Sequence, residues 1–345
     1  NWAYDELGRM TDELGAQGQT IAAYGYDANG NRTSATDGLN HTVVHGFDAL
    51  NRLSQTTDPL AGVTQYGYDA QDNNIRVEDP KGLATTFQYN GFGDLIQQSS
   101  PDTGVSYFTY DTAGNMHTAT DANNHTTAYA YDALNRLTGA TYADGAVETY
   151  VYDDGQNAAG RLSSIADASG MVRWSYDLHG RIVEKRQETG GLVLITGYGY
   201  DAFGRLSSMT YPSGAVVNLA YVNGRIAGLT LNGQPLASDV RHVAFGPVSG
   251  WTFANGRVYS RAYDLDARMS QHSLGGLTRT IEYDPSNRIS GLSDAQASYG
   301  FEYDASSRLT RAYGTGLDQG FAYDKNGNRT NFAESGVSYP YAYVE

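Results

Sequence analysis

The chain has 345 residues, no cysteine, and 23 Lys plus Arg against 38 Asp plus Glu, a formal net charge of −15. That balance argues against nucleic acid or an anionic membrane as a partner, since each needs a positive footprint. The missing cysteines exclude disulfides, thiolate nucleophiles and zinc fingers. No apolar run approaches the ~18 residues of a membrane-spanning helix, and no signal peptide opens the chain. Asn1-Trp2-Ala3 carries no initiator methionine, so the chain is expected to be a piece of something longer.

There are 41 glycines and 28 tyrosines, and 18% of residues are charged, against about 25% in an average globular domain. Such a composition favours strands joined by tight turns, and its aromatics argue against disorder. The expected fold class is all-β.

The dipeptide Tyr-Asp, or a variant of it, opens a turn at Tyr4, Tyr26-Asp27, Phe47-Asp48, Tyr68-Asp69, Tyr89-Asn90, Tyr110-Asp111, Tyr131-Asp132 and Tyr152. It recurs at Tyr176, Tyr200-Asp201, Tyr221-Val222, Tyr263, Tyr283-Asp284, Tyr303-Asp304 and Tyr323-Asp324. From Tyr26 to Tyr152 the step is 21 residues; two steps of 24 follow, and the last three are 20. Around 232–262 the repeat is degenerate, but His242-Val243-Ala244-Phe245-Gly246 keeps the schedule. This gives sixteen repeats of 20–24 residues over 1–345, with no room for a separate domain.

Each repeat has a second turn signal about half a period on, as in Asp79-Pro80-Lys81-Gly82 and Pro212-Ser213-Gly214. Between the two turns the sequence alternates, and an aromatic such as Tyr24, Phe108 or Trp174 stands two before the repeat tyrosine, on the same strand face. One repeat therefore reads as one β-hairpin, and successive repeats as one long curved antiparallel sheet. A leucine-rich repeat would need a Leu-x-x-Leu-x-Leu spacing, which is absent, and a β-helix would not need a reversal at both ends of each repeat. A sheet with no opposing layer suits tyrosine, whose ring packs across strands while its hydroxyl is expected near water. Arg9, Arg52, Arg136, Arg181, Arg205, Arg268, Arg288 and Arg308 lie four after the repeat Asp, placed for an exposed cross-turn ion pair, worth ~0–1 kcal/mol.

The pattern Tyr131-Asp132-Ala133-Leu134-Asn135-Arg136-Leu137, repeated as Tyr200-Asp201-Ala202-Phe203-Gly204-Arg205-Leu206, resembles the bacterial RHS/YD-repeat family over essentially the whole chain. The resemblance implies a β-sheet that spirals into a hollow shell. In Rhs polymorphic toxins and the C components of insecticidal toxin complexes such a shell encloses a toxic C-terminal domain until delivery; teneurins carry a related one. It implies a secreted or surface-delivered bacterial protein whose partners are a cargo toxin or effector and the flanking shell repeats. Self-association through open sheet edges is a further expectation. Tyr341 to Glu345 is expected to stop in mid-strand.

No catalytic, cofactor or metal site is expected, and the repeat positions Tyr26, Asp27, Phe47, Asp48, Tyr68, Asp69, Tyr110, Asp111, Tyr131, Asp132, Tyr200, Asp201, Tyr283, Asp284, Tyr303, Asp304, Tyr323 and Asp324 are read as structural. Asp58-Pro59 and Asp79-Pro80 look like the paired Asp-Pro motifs with which family members cut themselves, but both occupy second-turn positions, where Pro-x-Gly serves a turn. Asp27–Asn31 and Asp324–Asn328 resemble half a calcium loop but lack its later glycine and glutamate; an Asn-Gly hairpin turn explains both. His41 and His45 would be ~13 Å apart on a strand and could not share an ion. The alternative to a shell wall is a carbohydrate-binding or adhesion module using Trp174 or Trp251, and an enzyme ranks third.

Overall fold

The computed structural model describes residues 1–342. It contains 33 strands, from β1 (Trp2–Tyr4) to β33 (Val337–Pro340), assigned to one antiparallel sheet. Among the described residues there is no helix. Consecutive strands pair through hairpins, as in β3 (Thr20–Tyr26) with β4 (Arg32–Asp37), then β4 with β5 (Thr42–Phe47). The expected mid-strand stop at Tyr343 to Glu345 lies outside the described residues, and β33 ends at Pro340.

By its internal contacts the chain forms two units. The first holds Asn1–Gln88, Ser99–Asp102 and the repeats from Tyr259 onward; the second holds Tyr89–Gln98 and Thr103–Val258.

The alternation read from the sequence has one regular defect. In hairpin after hairpin the register slips just before the repeat tyrosine: Gly25 faces Ser34, but Tyr26 faces Arg32. Gly199 and Tyr200 repeat the step opposite Ser208 and Leu206. The cause is the first turn. Asn51 N–H donates to the Asp48 carbonyl (3.0 Å) and Asp48 N–H to the Arg52 carbonyl (2.9 Å), with Asn51 left-handed at φ 62°. This is a three-residue hairpin loop, a type I turn followed by a left-handed residue, which inserts a bulge. Asn29-Gly30 and Asn326-Gly327 take this form, with only the glycine at positive φ, so the expected Asn-Gly hairpin turns are of the three-residue kind. The two-residue kind occurs elsewhere: Asn223-Gly224 and Asn232-Gly233 have both residues at positive φ.

The two long repeats differ in cause. In the first, the loop lengthens, so that Asp153 N–H reaches the Arg161 carbonyl at 3.0 Å, with Ala158 tucked beneath at 1% exposure. In the second, the strands lengthen: β18 (Ile182–Thr189) and β19 (Leu192–Tyr200) have eight and nine residues, joined through Gly190-Gly191.

Nothing resembles an ordinary core. The buried apolar residues among those described are Ala140, Ala158, Ile281 and Ala312. Accessible surface totals 20474 Å² for 37.3 kDa, where a compact protein of that mass exposes about 13,700 Å². On β15 (Val147–Tyr152) the Tyr150/Tyr152 face is half-buried, while Val147, Thr149 and Val151 opposite are exposed. Contact between neighbouring hairpins must therefore supply most of the stabilisation.

The bulge position gives a direct test. Gly114 sits at φ 85°, and a Cβ there would meet no atom within 4 Å. Gly114→Val is therefore expected to destabilise through backbone strain alone, by about 1–3 kcal/mol in urea denaturation. Asn135→Gly, at φ 59°, should change stability by a few tenths of a kcal/mol at most.

Candidate functional site: a turn ladder and a seam

Most first turns are capped by their own aspartate. Asp48 Oδ1 accepts from the backbone N–H groups of Leu50 and Arg52, both at 2.9 Å, and its Oδ2 accepts Arg52 Nε at 2.7 Å. Short polar side chains stabilise turns this way by satisfying local donors. The same set recurs at Asp132/Arg136, Asp201/Arg205, Asp284/Arg288 and Asp304/Arg308. At Asp27, Asp69, Asp111 and Asp324 an asparagine takes the arginine's place and donates its amide at 2.9–3.1 Å. Asn90 and Asp94 exchange the roles: Asn90 Oδ1 caps the turn and its amide donates to Asp94 Oδ2 at 2.9 Å.

The arginine also reaches the next hairpin. Its guanidinium lies over the following repeat tyrosine, Arg52 over Tyr68 at 4.7 Å, Arg205 over Tyr221 at 4.2 Å and Arg308 over Tyr323 at 4.9 Å. Such a contact is worth ~0.5–1 kcal/mol or more when shielded. Arg52 and Arg308 also donate to the next aspartate's carbonyl, Asp69 at 3.1 Å and Asp324 at 2.8 Å.

The tyrosine reaches backwards. Tyr26, Tyr68 and Tyr110 donate their hydroxyls to the carbonyls of Met10, Leu53 and Leu95, each at 2.9 Å. Tyr200, Tyr283, Tyr303 and Tyr323 do the same to Ile182, Met269, Ile289 and Leu309 at 2.8–3.1 Å. Phe47 has no hydroxyl to offer, and Tyr131 is half-buried, its phenol pKa pushed up by that burial.

Two expectations are corrected here. The hydroxyls named above stitch each hairpin to the one before, part-buried at all but Tyr303, whose bond is exposed. Nor are the ion pairs exposed: the side chains of Arg288 and Asp284 are 14% and 15% accessible. The ring and guanidinium cover each other, which hairpin-by-hairpin reading missed; the recurrence of the arginine before each following repeat tyrosine was the available signal.

Within the first unit a second interface appears. Ala16 N–H and Gln19 Nε2 donate to Asp266 at 2.6 and 2.9 Å. Gly38 lies against the Pro285 carbonyl, and Asn326 Nδ2 donates to Asp79 Oδ2 at 2.5 Å, with Lys81 Nζ 3.4 Å from Asp324. Each contact joins the second turn of an early repeat (opening at Tyr4, Tyr26 or Tyr68) to the first turn of a late one (opening at Tyr263, Tyr283 or Tyr323). The late repeat is always twelve further along the chain.

The residues with chemical potential are engaged elsewhere. Asp58 Oδ1 accepts from Leu60 and Gly62 N–H at 2.8 Å, and Asp79 Oδ1 from Lys81 and Leu83 at 2.8 and 2.9 Å, so both cap second turns. His41 Nδ1 faces Asp37 Oδ2 at 3.0 Å while His45 faces Thr56 at 3.2 Å, and they share no site. Among the described residues no group of three His, Asp or Glu could hold a metal. Trp174 and Trp251 are half-buried, the latter edge-on to Phe253 at 5.7 Å. No helix of the described residues is long and apolar enough to cross a membrane.

Comparison with known proteins follows this geometry. Residues 1–159 match the family model Teneurin YD-shell, and residues 157–192 and 185–216 match the model RHS Repeat. No curated protein matches the chain. Among solved structures, the Photorhabdus luminescens Tc holotoxin pore aligns at TM-score 0.81 and 16% identity over 98% of this chain and 22% of that one. TcdB2-TccC3 without its hypervariable C-terminal region aligns at 0.83 and 16% over 98% and 22%, and TcdB2-TccC3-Cdc42 at 0.83 and 16% over 99% and 22%. Likeness at this identity shows the fold, and the chain spans 22% of the length of these relatives.

Three outcomes follow from the ladder. Tyr200→Phe orphans the Ile182 carbonyl and should lower stability by about 1 kcal/mol in urea denaturation. Burial pushes the Asp177 carboxyl up, but the Arg181 guanidinium and the Arg181 and His179 backbone N–H groups outweigh it and hold its pKa at about 2. With the folded value below the ordinary 3.8, this stabilisation is present above 3.8 and disappears as pH falls towards 2. Melting temperature should drop through that window, less steeply in Asp177→Asn. Replacing Asp58 or Asp79 with Ala should leave chain length unchanged in intact-mass measurement, since each serves a turn.

Proposed function

The chain belongs to the RHS/YD-repeat shell family, and on that premise we propose that it is a stretch of wall enclosing a cargo polypeptide, a C-terminal toxin or effector, until delivery. Its role is that of a structural shell segment, and the shell fold fits a non-enzymatic part. The observation that carries the cargo reading is the sheet itself: hairpins stitched edge to edge, with the Val147, Thr149 and Val151 face of β15 left exposed. A wall needs that combination, because a guest takes the place of a second layer. The repeat tyrosines, aspartates and arginines are then structural positions that hold hairpin spacing. The remaining partners are flanking shell repeats, and the protein is secreted or delivered.

The relatives support this reading by name, since the solved assemblies carry Tc toxin components. The sugar-binding alternative would need open aromatic platforms, and Trp174 and Trp251 are half-buried. Limited proteolysis of the complete reading frame tests the proposal. The polypeptide encoded beside the repeats should survive trypsin at doses that digest it when expressed alone. Equal digestion with and without the repeats would overturn enclosure. Glycan binding lost on Trp174→Ala or Trp251→Ala would replace it with the adhesion reading.

A further inference from the structure

Within the second unit the ladder of turns has a gap that residue type alone requires. Two successive repeats lack the capping carboxylate: Val222 follows Tyr221, and Val243 follows His242. His242 also stands where a repeat tyrosine would, so no phenol there can reach back to the preceding hairpin. Pro247 occupies the arginine position four after Val243 and offers neither a guanidinium nor a backbone N–H. The repeat before it adapts only in part. Arg225 Nη1 donates to the Val243 and Gly246 carbonyls at 3.2 and 3.3 Å, but its own turn, Val222-Asn223-Gly224, has no carboxylate to hold it.

The backbone of the same stretch is irregular. β22 (Arg225–Leu231), β23 (Gln234–His242) and β24 (Val248–Phe253) pair in succession. Between β23 and β24 the register slips twice, at Ser238/Arg241 and at Arg241/His242, and Asp239 sits left-handed at φ 51° within the strand. Pro235, opposite Thr230, removes a donor from the ladder of β22 and β23. At the turn joining β23 to β24 the left-handed residue is Phe245, at φ 55° and fully exposed, a conformation that strains a bulky side chain. Gly204, in the turn at 200–205, takes that conformation freely. β23 also lies open to solvent: six of its nine residues are exposed, against one of eight in β18.

We propose that 234–253 is a built-in opening segment, at which the β23–β24 hairpin parts from the sheet while the ladder-bearing hairpins hold. Local opening occurs where stabilising contacts are few and the backbone is poorly held. The turn at 242–247 lacks the aspartate cap, the aspartate–arginine pair, the tyrosine hydroxyl bond and the guanidinium–phenol contact together. Elsewhere such losses come singly. Phe47 gives up its hydroxyl but keeps Asp48 and Arg52 beside it, and Asn90 gives up the charge but keeps the cap. The inference stands on the ladder and would survive failure of the cargo reading.

Hydrogen–deuterium exchange of the intact chain, read by mass spectrometry on peptic peptides, tests it. Under native conditions the amides of 234–253 are expected to exchange about tenfold faster or more than those of β13 (Thr126–Tyr131) and β14 (Leu137–Thr141), whose turn carries Asp132 and Arg136. The triple variant His242→Tyr, Val243→Asp, Pro247→Arg gives 242–247 the same sequence as Tyr200 to Arg205. It should slow that exchange about tenfold by restoring ladder contacts. Phe245→Asn, at an exposed position where asparagine tolerates the left-handed backbone, should slow it about threefold without rebuilding the ladder. Should the triple variant fold poorly, the wild-type profile and Phe245→Asn decide. Wild-type exchange no faster at 234–253 than at β13 and β14 overturns the proposal. So does faster exchange that neither variant slows, since its cause would then lie outside the ladder and the strained turn.

Discussion

In half of the sixteen repeats the spacing depends on one guanidinium held by one carboxylate. Asp48 cannot cap its turn and pair Arg52 unless the loop has three residues and a left-handed fourth position. That loop inserts the bulge, and the bulge fixes which way the arginine leaves the strand. From there it lies over Tyr68, whose hydroxyl returns to the Leu53 carbonyl, the residue after the arginine. The circuit closes across two hairpins, so a single turn geometry sets the spacing of its neighbour.

This matters because the sheet has almost no interior. In a sandwich, a second layer would bury one face and the hydrophobic effect would dominate. Here the buried apolar residues among those described are Ala140, Ile281 and Ala312 in the strands and Ala158 in a loop. Cation–π contact, hydroxyl-to-carbonyl bonds and shielded ion pairs are individually modest, but they recur with the repeat, as in other arrays where stability is a sum over neighbours. Arg136 shows how far the circuit can bend: it pairs with its own Asp132 at 2.7 Å and with Asp153 of the next repeat at 2.6 Å, where the loop is longer.

Several features show where one-dimensional reading ends. Asn29-Gly30 and Asn232-Gly233 are the same dipeptide, yet one forms a bulged three-residue loop and the other a two-residue turn. The difference lies in what precedes: Asp27 binds the Asn29 and Asn31 backbone N–H groups, whereas Leu231 has no such side chain. The Asn90/Asp94 pair keeps the turn's side-chain contacts by exchanging acceptor and donor.

By itself the sequence determined the unit: the period, two reversals per repeat, the aromatic face and the cross-turn Asp–Arg pair all follow from local spacing and turn chemistry. The candidate site was half legible, because Asp, Arg and Tyr recur in phase, and residues with a local partner announce it through periodicity. Tertiary structure alone decided that the hydroxyls point into the preceding hairpin and that Asp79 meets Asn326, 247 positions away. No local rule encodes those contacts, because a repeat of constant length fixes each hairpin against the next, whereas the meeting of distant edges depends on a small twist accumulated over twelve of them.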